Sequence, residues 1–164
     1  MTKDQMLNAI ESAKLVHMQQ MQKIESEIAG KKIDNPTALG KMECPCGIWF
    51  YSNEAVMKEV LGLQLFERLD EKHEQWHKDY ASIYNIFFKK EKKKGLFSKI
   101  IGSSSSDSMK IDKAKLYYNE LKKDTQELLH VAESAQRRIT ALNDSKFQES
   151  FKHFSISSAA TGGE

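Results

Sequence analysis

The chain has little of what interrupts helices. Only 2 of its 164 residues are proline and 8 are glycine. Strand-like alternation of apolar and polar residues is scarce, so the composition favours an all-α fold. No apolar run nears the roughly 20 residues that a membrane span needs. The opening segment, Met1 to Ser12, is polar and acidic and does not resemble a signal peptide. The net charge of +2 is too close to balance to call for a polyanionic partner, and no nucleic acid is expected. There are 2 cysteines, Cys44 and Cys46. In the cytoplasmic setting these features suggest, they read as reduced thiols or metal ligands rather than a structural disulfide. There is no phosphate-binding loop, no nucleophile elbow, no His-Glu-x-x-His arrangement and no internal repeat.

What is present is helical periodicity. At this length the chain reads as one domain with room for a real core. A first helix is predicted from about Lys3 to Ala29, on the stripe Met6, Ile10, Ala13, His17, Met21, Ile24, Ile28, with Gly30 closing it. Asp34 or Asn35 can cap a short second helix with Pro36 in its first turn. Met42 to Tyr51 reads as a tight, irregular segment. Asn53 is placed as the cap of a short helix running to Val60, ended by Gly62, and a long helix follows from Leu63 to Phe88. Its stripe is Phe66, Leu69, His73, Trp76, His77, Tyr80, Ile83, Tyr84, Phe87. The last helix is expected to start near Lys110. Its stripe runs Ala114, Tyr118, Leu121, Thr125, Leu128, Ala132, Ala135, Ile139, Leu142, in steps of four and three. The expected architecture is a four-helix bundle with an additional short helix and a Lys/Ser-rich loop before the last helix. The bundle is placed at residues 1–145, with a flexible insert at about 89–108, and a frayed tail at 146–164.

The chemistry lies in the histidines. His73 and His77 are four apart on one helix face, with Cβ atoms roughly 5–6 Å apart, close enough to share one metal ion. Both fall on an apolar stripe, as does His17. Three buried imidazoles need three sets of polar partners, or one metal that satisfies all of them. Zinc takes four nitrogen and sulfur ligands in a tetrahedron, and one cysteine would complete the shell. Glu74 beside His73 is read as a solvated surface charge rather than a general base, and His130 and His153 as ordinary residues.

The order of these residues resembles a known family. His17, then Cys44-Pro45-Cys46-Gly47-Ile48-Trp49, then His73 and His77, followed by a closing helix, is similar to the chemoreceptor zinc-binding (CZB) domain. The resemblance spans roughly Asp4 to Asn143. It implies a four-helix bundle with Zn2+ held by His17, Cys44, His73 and His77, with Gly47 and Trp49 matching the motif's glycine and tryptophan. It further implies a zinc or oxidant sensor, often a homodimer, acting with chemoreceptors or diguanylate cyclases. Cys46 departs from the family, which usually has a large apolar residue there. It is a rival ligand, a resolving thiol, or a core-packing side chain. No Gly-Gly-Asp-Glu-Phe cyclase motif and no receptor signalling hairpin is present.

The expected function is therefore a zinc-binding regulatory domain, not an enzyme. Its zinc-bound cysteine thiolate would respond to oxidant or zinc level and signal to chemotaxis or cyclic-di-GMP partners. The alternatives are a structural zinc bundle serving as a dimerisation scaffold, and a zinc hydrolase. The insert carries Lys89, Lys90, Lys92, Lys93 and Lys94 ahead of Leu96, Phe97, Ile100 and Ile101. This pattern suits contact with an anionic membrane, but a solvated loop is the expected reading.

Overall fold

The computed structural model describes residues 1–31, 38–87 and 103–149, with side chains described from residue 108 onward in the last stretch. Among the described residues there is no strand. Five helices are formed: α1 (Lys3–Ile28), α2 (Pro45–Ser52), α3 (Glu54–Leu61), α4 (Leu63–Phe87) and α5 (Ser103–Ala141). A short sixth, α6, spans 144–149.

Local chemistry sets the helix ends. Thr2 and Gln5 form a reciprocal capping box at the start of α1. Gly62 turns the chain between α3 and α4 at φ 74°, a left-handed conformation that favours glycine. The open carbonyls at two helix ends are taken up from other helices. Arg138 Nε donates to Val60 O at 2.9 Å. Lys3 Nζ donates to Thr140 O and Leu142 O at 2.9 and 2.6 Å, tying the start of α1 to the end of α5.

The long helices bury the predicted stripes. Met6, Ile10, His17, Met21 and Ile24 of α1 face inward. So do Phe66, Leu69, His73, Trp76, His77, Tyr80 and Ile83 of α4. On α5 the whole predicted stripe from Ala114 to Ile139 is buried. Helix α5 packs along both α1 and α4, while α2 lies against α1 and α3 against α4. The broken pair α2–α3 thus serves as the fourth member of an all-α bundle. Trp76 fills its centre at 1 % exposure. Its Nε1–H donates to Thr125 Oγ1 at 2.9 Å, and the Thr125 hydroxyl donates on to Leu121 O at 2.7 Å. The one buried threonine on the α5 stripe is therefore paired. Burying a side chain of this size contributes on the order of 2–3 kcal/mol.

Several boundaries differ from expectation. Residues 45–52, read as irregular, form α2, with Cys44 at its N-cap and Pro45 in its first turn. Asn53 does precede α3, but its side chain makes no cap there; its Nδ2 donates to Trp49 O at 2.7 Å and closes α2 instead. Helix α5 begins at Ser103, ahead of Lys110. Phe147, assigned to the tail, is 1 % exposed and packs in the core. Asn143 holds it there: its Oδ1 accepts from Lys146 N at 2.8 Å and its carbonyl from Phe147 N at 3.0 Å. The cap at Asp34 or Asn35, most of the lysine- and serine-rich insert, and the chain beyond residue 149 lie outside the described residues.

Candidate metal centre

His17 reaches the bundle interior from α1 and His73 and His77 from α4, all three buried. Each offers a ligand atom, and the three atoms lie within 4.8 Å of one another. Cys44 is not within that mutual 4.8 Å distance of all three, but lies beside His73 at the junction between the strap 38–44 and α2. Its Sγ is 3.2 Å from His73 Nε2, which is in turn 3.1 Å from His77 Nε2. Tetrahedral zinc with ordinary bond lengths sets neighbouring nitrogens roughly 3.3 Å apart, and sulfur and nitrogen roughly 3.6 Å apart. The Cys44–His73 and His73–His77 separations are each within about 0.4 Å of those values.

Hydrogen bonding fixes which ring atoms face inward. His17 Nδ1 donates to Ala13 O at 2.8 Å, and His77 Nδ1 donates to Leu39 O at 3.1 Å. A carbonyl only accepts, so each Nδ1 carries the ring proton, and each Nε2 presents a lone pair. This is the outer-shell pattern of metal-binding histidines. His73 Nδ1 is buried and has no hydrogen-bond partner among the described residues. With His77 Nε2 proton-free and Cys44 beside it, His73 can satisfy at most one of its two Nε2 neighbours with a proton. The cluster holds more inward lone pairs than protons, which suits a cation.

The thiol is prepared in the same way. Cys44 Sγ accepts from Gly47 N–H at 3.1 Å at the first turn of α2. Hydrogen bonding from Cys46, then from His73 and the Gly47 amide, holds the Cys44 thiol far below its ordinary range, against the opposing effect of burial. The same contact with Cys44, together with burial, pushes the Cys46 thiol up. Cys46 is half-buried. It lines a small cavity of about 30 Å³ with Ile10, His17, Trp49, Leu128 and Ala132. Burial pushes His17 down to about 4 from an ordinary 6.5, only partly offset by its bond to Ala13.

Sequence reasoning missed the residues that hold the strap. Lys41 Nζ donates to Asp70 Oδ1 at 2.7 Å and to Glu74 Oε2 at 2.9 Å. The Tyr51 hydroxyl donates to the same Asp70 oxygen. Glu74 is therefore ion-paired, with Lys41 and also with Lys78 at 2.6 Å. Hydrogen bonds from those two lysines hold its carboxyl down to about 2, which makes it a poor general base. His130 is exposed on α5, and His153 lies outside the described residues.

Taken together, the fold and this donor set define a helical metal-binding domain. The family model of the chemoreceptor zinc-binding domain (CZB) matches residues 17–84. Over this segment the chain is similar to that zinc-binding domain, and the buried group His17, His73 and His77 is one that could hold the ion. The match is shorter than the Asp4–Asn143 span of the resemblance, yet it runs from His17 past His77. No curated protein and no solved structure matches the chain. No helix among the described residues is long and apolar enough to cross a membrane.

Proposed function

We propose that His17, Cys44, His73 and His77 together hold one zinc ion, and that the domain is a sensor in which Cys44 responds to oxidant or to zinc level. The observation that carries this reading is the contact of Cys44 Sγ with His73 Nε2 at 3.2 Å, beside two further buried imidazoles. Bound zinc would keep Cys44 a thiolate, the form that oxidants attack. Oxidation of its sulfur to a sulfenic acid would weaken the metal–sulfur bond joining Cys44 to the histidines of α1 and α4. Metal binding is coupled to folding free energy, so that loss loosens the strap. Four protein donors leave no open position for water, whereas catalytic zinc keeps one; the reading is accordingly not of an enzyme. The output is a change in homodimer contact or in docking to a chemoreceptor or diguanylate cyclase partner in the cytoplasm.

Oxidant titration followed by mass spectrometry tests this, with circular dichroism and sedimentation on the same samples. The first oxidised sulfur should be Cys44, with zinc release and a change in helix content or dimer affinity. Cys44→Ser should abolish that fast reaction, and Cys46→Ser should leave it intact. First oxidation at Cys46 with zinc retained would reverse the ligand assignment. Oxidation at Cys44 with no structural response would reduce the site to a structural zinc.

A further inference from the structure

The three histidines and Cys44 are positioned by different means. The histidines sit on α1 and α4, long helices whose buried stripes are locked by the core. Cys44 sits at the junction of an irregular strap and the eight-residue α2. Both segments flanking it reach the Asp70 carboxylate, and Lys41 also reaches Glu74 Oε2 at 2.9 Å. Lys41, in the strap before Cys44, donates to Asp70 Oδ1 at 2.7 Å. Tyr51, in α2 after it, donates its hydroxyl to the same oxygen. Asp70 lies three residues before His73 on α4, on the neighbouring turn of the same helix face. Lys41 also engages α2 through its backbone: its carbonyl oxygen is 3.5 Å from Cys44 Sγ and fills the space beside Gly47 Cα. A pull on the Lys41 side chain is thus transmitted to the turn that presents the sulfur.

We infer that Asp70 is the positioning residue for Cys44: it ties the strap and α2 to the histidine-bearing turn of α4 and so decides whether the sulfur ligates the metal along with the three histidines. This rests on the zinc reading above. Asp70 touches no donor atom of the cluster, so its removal leaves the histidine trio in place and lets the cysteine arm drift.

Cobalt(II) substitution of the full chain separates the two donor types. Ligand-field bands report metal held in the site, and a near-ultraviolet charge-transfer band reports sulfur bound to it. Wild type should show both. Asp70→Ala should keep about one equivalent of cobalt while losing most of the charge-transfer band. Cys44 in its zinc-loaded form should react with a chromogenic disulfide about ten to a hundred times faster, the scale typical of lost outer-shell support. Asp70→Glu should restore much of the band, and Lys41→Met and Tyr51→Phe should each lose part of it. A folded Asp70→Ala with the full band and unchanged thiol reactivity overturns the inference. If Asp70→Ala does not fold, full bands in both Lys41→Met and Tyr51→Phe overturn it. A wild-type protein that binds cobalt with no charge-transfer band refutes the zinc–cysteine reading itself, and this inference with it.

Discussion

The carbonyl of Lys41 occupies the place where any side chain at position 47 would begin: a Cβ built on Gly47 would lie 1.6 Å from the Lys41 oxygen. The contact is backbone to backbone, so no rotamer change relieves it. Position 47 must also leave its amide free to donate to Cys44 Sγ at 3.1 Å. The glycine two residues before Trp49 is thus required by the close approach of strap and helix. Gly47→Ala should displace the strap at a cost of roughly 1–3 kcal/mol or more, as overpacking does, and weaken zinc binding in parallel. Thermal melting of the zinc-loaded protein checks this. An unchanged melting temperature would mean that the strap does not pack on α2 as described.

Each histidine should be separately necessary. His17→Ala, His73→Ala and His77→Ala are each expected to lose most bound zinc, read by elemental analysis after gel filtration. His130→Ala, on the exposed face of α5, should keep it. Full retention in any one of the first three variants would remove that residue from the ligand set.

The metal-free protein should weaken in acid through His17. Burial, the largest cause, lowers its pKa to about 4 from 6.5. Above pH 6.5 both folded and unfolded states hold His17 neutral, and there is no difference to lose. As pH falls from 6.5 towards 4, only the unfolded chain takes up the proton, so stability declines, by about 3 kcal/mol in all. Below the folded value both states are protonated and this loss levels off. Urea unfolding of chelator-treated protein at several pH values should show the decline, and His17→Phe should lack most of it. Equal slopes in the two proteins would contradict the assignment.

Phe147 tests the C-terminal edge of the bundle. It is buried at 1 % exposure in the shared core, so Phe147→Ala should cost roughly 3–5 kcal/mol in denaturant unfolding. A change within about 0.5 kcal/mol, the range of surface substitutions, would return it to the tail.

Much of this molecule is legible in its sequence, for a physical reason. Helices α1, α4 and α5 are long and bury one stripe each, so His17, His73 and His77 announce their burial by falling in register with Met21, Trp76 and Tyr80. Helix α2 is short and nearly all apolar, and Pro45 and Gly47 interrupt any pattern, so Pro45–Ser52 reads as irregular although it is helical. Asn53 carries a cap signal that serves two helices at once, and the side chain closes the first. The support at Asp70 leaves no trace in periodicity. Lys41 and Asp70 are 29 residues apart, and a lysine and an aspartate on amphipathic segments are ordinarily solvated. Only the fold shows that Lys41, Tyr51 and Asp70 meet beside the cysteine. Phe147 escapes for a similar reason, since one apolar residue in a polar stretch has no partner stripe to reveal its burial.

X-ray absorption spectroscopy of the zinc-loaded protein bears most directly on the central claim, because it counts sulfur and nitrogen neighbours of the metal without mutation. The proposed site predicts one sulfur at about 2.3 Å and three imidazole nitrogens at about 2.0–2.1 Å. Two sulfurs would bring Cys46 into the shell, and a shell with no sulfur would remove Cys44 from it; either result would contradict the assignment of His17, Cys44, His73 and His77.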